Sequence, residues 1–195
     1  MTKEKSYIDR LAEIVKEFDA TTAHGHTLTD SIERICAIFK GTKVTGNKVI
    51  LIGNGGSAAI ASHVAVDLSK NAHVPAITFN DAATLTCLSN DYGYTEVFAK
   101  QVEYYARPGD TLVAISSSGV SLNIINAVAA ANRIGRISTV TFSGFDPGNQ
   151  LRRMGHINFY VPSMRYGFVE LAHMILLHSI IDKLALEHEM LQAAE

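Results

Sequence analysis

The chain has 195 residues, of which 47% are hydrophobic, enough to build one packed domain. Seventeen basic residues against nineteen acidic ones give a formal charge of −2, and the lysines and arginines are scattered without a basic run, which argues against direct nucleic-acid binding. Cys36 and Cys87 form no CxxC, so neither a disulfide framework nor a thiolate metal site is expected. The charged first residues and the lack of a long apolar run point to a cytoplasmic protein with no signal peptide and no membrane contact.

Apolar positions at helical spacing (Ile8, Leu11, Ile14, Val15, Phe18, then Leu28, Ile32, Ile35, Ile38, Phe39) predict two helices, broken near residues 21 to 27. From Lys48 strand and helix alternate, with strands expected at 48–52, 75–79, 111–116, 137–142 and 156–161 and helices at 57–70, 94–106, 121–134 and 166–190. Short Val/Ile-rich runs separated by helices call for a parallel sheet covered on both faces. The expected fold is therefore a single α/β domain over 1–195: N-terminal helices over 1–45, then a doubly wound, flavodoxin-like core over 46–190 with five parallel strands in the order 2-1-3-4-5. Ligands of such sheets bind where the winding reverses, between the first and third strands. The last helix is apolar nearly all round from Leu171 to Leu186, wider than a surface stripe, which predicts burial that includes a subunit interface.

Those first and third strands both open into turns of small residues. Val49-Ile50-Leu51-Ile52 runs into Gly53-Asn54-Gly55-Gly56-Ser57, and Leu112-Val113-Ala114-Ile115 into Ser116-Ser117-Ser118-Gly119-Val120-Ser121. A strand that ends in small residues before a helix presents free N–H groups at the positive end of that helix, and serine hydroxyls add neutral donors. Two such turns in one sheet suggest one phosphate held from both sides. A competing reading takes Gly53-x-Gly55-x-x-Ala58 as a dinucleotide fingerprint with Asp81 as the ribose acid. It leaves the serine run without a task, and Asp81 stands farther off than the usual interval of about 20 residues.

Gly53-Asn54-Gly55-Gly56-Ser57-Ala58-Ala59, Ser89-Asn90-Asp91-Tyr92-Gly93, Ile115-Ser116-Ser117-Ser118-Gly119 and Glu170-x-x-His173 with His178 together resemble the sugar isomerase (SIS) domain family, in order and spacing, over about residues 28 to 186. Within that family the likeness is greatest to the enzymes that convert sedoheptulose 7-phosphate to an aldose phosphate for the bacterial heptose pathway. The resemblance implies that Asn54, Gly55, Gly56, Ser57, Asn90, Asp91, Ser116, Ser117, Ser118 and Ser121 bind a phosphosugar, the serines at the phosphate and Asn54 and Asp91 at sugar hydroxyls. It implies catalysis by Asp67 and His178 through an enediol, a carboxylate working at carbon and an imidazole at the oxygens. A zinc ion held by His63, Asp67, Glu170 and His178 is implied as well, as is a homotetramer whose active sites lie between subunits, the first turn of one chain facing Glu170 and His178 of another. Asp67 stands where the family has Glu, Glu170 where it has Gln, Ile60 where Asp is usual and Asn71 where Arg is common. The same fold also serves non-catalytic proteins that bind a phosphosugar or a protein, the replication initiator-associating type among them, and loss of those residues favours that second reading.

Plainer roles compete for several histidines. His63 and Asp67, at i and i+4, share a helix face and can form a simple ion pair, although with the acid C-terminal to the base this is the weaker orientation. His173 lies in an apolar helix and is expected to be a buried, hydrogen-bonded residue. His24, His26, His73, His156 and His188 are expected to be solvated.

Overall fold

In the computed structural model, which describes residues 5–22 and 27–193, the strand β2 (Val49–Gly53) shows how the sheet divides the interior. Its side chains alternate, Val49 and Leu51 to one face and Ile50 and Ile52 to the other, and each set joins a separate apolar cluster. Four other strands extend this pattern: β3 (Ala76–Thr78), β4 (Thr111–Ser116), β5 (Ser138–Ser143) and β6 (Ile157–Tyr160). They run parallel in the order β3-β2-β4-β5-β6, which is the doubly wound order expected from the sequence.

A sixth strand was not anticipated. Residues Asp19–Thr22 form β1, which pairs antiparallel along β6 and closes that edge. It follows α1 (Tyr7–Lys16), whose ring Tyr7 stacks on Phe168 at 4.4 Å, and precedes α2 (Leu28–Val44). Both helices begin with capping boxes, Ser6 with Asp9 and Thr27 with Asp30. The break between the two helices thus holds an edge strand fastened by an Asp19–Arg152 ion pair, with the Arg152 guanidinium lying 4.1 Å from the centre of the Tyr160 ring.

The remaining helices are α3 (Gly56–Lys70), α4 (Ala82–Tyr92), α5 (Val97–Tyr105), α6 (Leu122–Ile134) and α7 (Tyr166–Gln192). Helices α2, α3 and α7 cover the face that carries Leu51, Val113, Phe142 and Phe159, while α5 and α6 cover the face of Ile50, Ile52 and Leu112. Helix α4 was not predicted; Leu88 is its one buried residue, and Asp81 caps it by accepting from the Thr84 N–H at 2.8 Å. That bond gives Asp81 a capping role that needs no ribose.

Helix α7 buries Phe168, Val169, Ala172, His173, Leu176, Leu177, Ile180, Ile181 and Leu184 within its own chain. Much of its apolar character is accounted for there, leaving Tyr166, Leu171, Ile175, Leu186, Met190 and Leu191 exposed. Among the described residues no helix is long and apolar enough to cross a membrane.

Candidate active site

The two small-residue turns meet at the carboxyl ends of β2 and β4. Gly55, at φ +52°, caps α3 in a conformation that favours glycine, and lets the chain turn from strand into helix within two residues. Ser116, Ser117, Ser118 and Ser121 come from the β4–α6 turn, where Gly119 (φ +67°) packs against the Asn149 side chain. Together the turns enclose a cavity of about 320 Å³ lined by Asn54, Gly55, Gly56, Ser57, Ser116, Ser117, Ser118, Ser121, Tyr166 and Glu170. The Ser117 hydroxyl is buried without a hydrogen-bond partner among the described residues.

Helix α3 leads away from this cavity alongside α7. Farther along both helices His63, Asp67 and His178 converge, with ligand atoms all within 4.8 Å of one another. The Asp67 Oδ2 lies 3.1 Å from His63 Nε2 and 3.9 Å from His178 Nδ1, and its Oδ1 accepts from Asn71 Nδ2 at 3.4 Å. Asp67 is largely covered, with 18% of its side chain exposed, whereas the two imidazoles are about half open to solvent. A carboxylate held between two imidazoles can accept a proton, pass one on or hold a cation.

Comparison with known proteins decides the family. The SIS domain model matches residues 6–142. The chain belongs to the SIS domain family. Over 180 residues it is 37% identical to the phosphoheptose isomerase of Aliarcobacter butzleri, covering 86% of this chain and 93% of the relative. Solved phosphoheptose isomerases from Neisseria gonorrhoeae and Francisella tularensis superpose with TM-scores of 0.78 and 0.79 at 30% identity, covering 91% of this chain and 95% and 94% of theirs.

Against the expectations drawn from this SIS-domain sequence, the structure shows several differences. Glu170 does not join the histidine cluster: its carboxylate lies over the backbone of Gly56, so close that a Cβ there would overlap it. One chain alone sets its first turn against Glu170 and its Asp67 against His178, so no second subunit is needed to bring those pairs together. Asn90 and Asp91 are exposed near the end of α4, bonded to each other at 2.9 Å, and do not line the serine cavity. His156 is not simply solvated, because its Nδ1 accepts from the Thr139 N–H at 3.0 Å, and the rings of His73 and His188 pack together at 4.2 Å. Cys36 is buried in the core as its apolar setting suggests, while Cys87 is exposed. His24 and His26 lie outside the described residues.

Sequence reasoning missed Tyr166, which lines the cavity with its ring against Phe145 at 4.8 Å. It also missed Asn123, buried at the start of α6 and bonded to Asn54. Neither stands in a small-residue turn, and contacts between distant segments leave no local signal.

Proposed function

We propose that the protein interconverts a ketose phosphate and an aldose phosphate, with sedoheptulose 7-phosphate as the ketose, as the relatives named phosphoheptose isomerase suggest. One observation carries the reading beyond the names. The serine cavity and the His63–Asp67–His178 cluster lie along the same pair of helices, and at 1.5 Å per helical residue Gly56 is about 10 Å from His63 and about 16 Å from Asp67 along α3, while Glu170 and His178 are about 12 Å apart along α7. With bonds near 1.5 Å, an extended seven-carbon sugar and its phosphate span about 10 Å. A phosphate among the serines therefore puts the far end of the sugar at the His63 side of the cluster, where the Asp67 oxygen stands 3.1 Å from the His63 ring nitrogen.

There Asp67 removes a proton from C1 while His178 protonates the carbonyl oxygen at C2, giving the enediol. His178 then takes the proton from the oxygen on C1 as Asp67 returns a proton to C2, and the aldose results. Removing the proton from carbon at a half-open shelf would expose the enediol to water. Val66, Leu171 and Ile175, exposed apolar residues on the same two helices, support a homotetramer in which a neighbouring subunit covers the shelf. A cytoplasmic place belongs to the same reading, since a phosphorylated sugar is too highly charged to cross hydrocarbon.

The cluster also fits zinc. Bonds near 2.1 Å in a tetrahedron put ligand atoms about 3.4 Å apart, and the Asp67 oxygen stands 3.1 and 3.9 Å from the two imidazole nitrogens. His63, Asp67 and His178 would hold the ion and leave one position open, in place of the fourfold set with Glu170 expected from sequence. Such an ion, if bound, would supply a Lewis acid that polarises the carbonyl in place of the His178 proton, because a ligating imidazole must be neutral. Protein purified without chelator and dialysed against zinc is expected to contain about one zinc per chain by elemental analysis, and less than about a tenth would rule the site out.

Turnover tests the activity. Sedoheptulose 7-phosphate should be converted to its aldose, with ribulose 5-phosphate, two carbons shorter, a much poorer substrate. No conversion of either, with or without zinc, would refute the reading, and the non-catalytic alternative would then stand.

A further inference from the structure

Asn54 sits between the two phosphate-binding turns, and its amide is bonded three ways. Its Nδ2 donates to Asn123 Oδ1 at 2.9 Å, and its Oδ1 accepts from Asn123 Nδ2 at 2.9 Å and from the Tyr94 hydroxyl at 2.9 Å. Asn123, 3% exposed, belongs to the first turn of α6, directly after the serine run. The two amides form a closed pair that ties the β2–α3 turn to the β4–α6 turn.

The pair has a direction. The N–H of Ile124 donates to Asn123 Oδ1 at 3.0 Å, so the atom at that position must be an acceptor, and the other end of the Asn123 amide must be the donor. Asn54 has to match, with oxygen toward Asn123 Nδ2 and nitrogen toward Asn123 Oδ1. The second Nδ2 hydrogen of Asn54 is then its one unused polar group, and Asn54 lines the serine cavity. Were the pair reversed, Asn54 would turn an oxygen toward an incoming anion.

We propose that Asn123 is a positioning residue for the phosphosugar site: oriented by the Ile124 N–H, it makes Asn54 present a donor to the bound ligand and sets the spacing of the two turns. Tyr94, on the far side of Asn54 in a neighbouring cavity of about 300 Å³, donates to the Asn54 Oδ1 in this orientation and steadies the amide from outside. The inference rests on the serine cavity being the phosphate site.

A double-mutant cycle tests it, with Asn54→Ala, Asn123→Ala and the pair, read by calorimetric binding of inorganic phosphate and by KM and kcat for sedoheptulose 7-phosphate. Asn123→Ala is expected to weaken phosphate binding and raise KM by about tenfold, the size of one hydrogen bond, with kcat within about threefold. Because Asn123 acts through Asn54, the double variant should bind no worse than Asn54→Ala alone. Unchanged affinity in Asn123→Ala, or fully additive losses, would overturn the proposal. If Asn123→Ala fails to fold, Tyr94→Phe at its half-exposed position serves instead: a KM increase of about threefold supports the orientation, and no change overturns it. If the wild type neither binds phosphate nor turns over sugar phosphate, the site reading falls too; phosphate binding that is equal in wild type and Asn123→Ala defeats this inference alone.

Discussion

Asp67→Asn is expected to lower kcat by about a thousandfold, within the range that a positioned general base contributes. An amide of the same shape keeps the contacts with His63 and Asn71, which stand 3.1 and 3.4 Å from the carboxylate, but it cannot take a proton from carbon. KM should change much less, because the serine cavity, which ends on α3 at Ser57, lies about 15 Å from Asp67 along that helix at 1.5 Å per residue. Steady-state kinetics on sedoheptulose 7-phosphate settles the point: a kcat within tenfold of wild type would mean that Asp67 is not the base. Zinc content measured on the same variant tells apart loss of the base from loss of a ligand.

The second large effect concerns folding stability in acid. His173 is fully buried in α7. Its Nε2–H donates to the Ser143 carbonyl at 3.1 Å, and its Nδ1 has no partner. Burial away from water pushes its pKa down to about 4, outweighing the Ser143 bond, which favours the charged form. In the unfolded chain the ring titrates near about 6.5. Between these values the unfolded state binds a proton that the folded state refuses, so the contribution is intact above about pH 6.5 and is lost as pH falls toward 4. The loss from this residue is about 3 kcal/mol, at 1.4 kcal/mol per pH unit. Urea unfolding at pH 7 and pH 4 should show it as an excess over His173→Phe, which has no proton to gain there. Equal losses in the two proteins would show that His173 folds charged or is not sealed from water.

How much of this was legible in the sequence depended on the range of the interactions involved. The five parallel strands and their order could be read because runs such as Val49–Ile52 and Leu112–Ile115 are fully buried and announce themselves by composition. Strand β1 could not, because Asp-Ala-Thr-Thr has no apolar run and is held by its pairing with β6 and by Arg152, far along the chain. Helix α4 escaped for a similar reason, with Leu88 its single buried residue. The serine cavity was legible because turns of small residues between a strand and a helix are a local backbone device. The position of Glu170 was not, since spacing along α7 does not say whether its carboxylate reaches the histidine cluster or the start of α3, which depends on how the two helices pack. The Asn54–Asn123 pair joins residues 69 positions apart, and no periodicity encodes such a contact.

Among the described residues no lysine or arginine lines the serine cavity, and the one acidic side chain there is that of Glu170, lying over the α3 N-terminus. Hydroxyl and amide dipoles act over a few ångströms, whereas fixed charges draw in a ligand over a Debye length of about 8 Å in physiological salt. Such a pocket does not steer its ligand from a distance: arrival is left to chance collision, and recognition begins at contact. Inorganic sulfate or a free nucleotide gains nothing from its charge on approach. If the cavity holds a phosphate, what would distinguish one anion from another is shape, meaning how well a tetrahedral group fits between two turns joined by the partly buried Asn54–Asn123 pair.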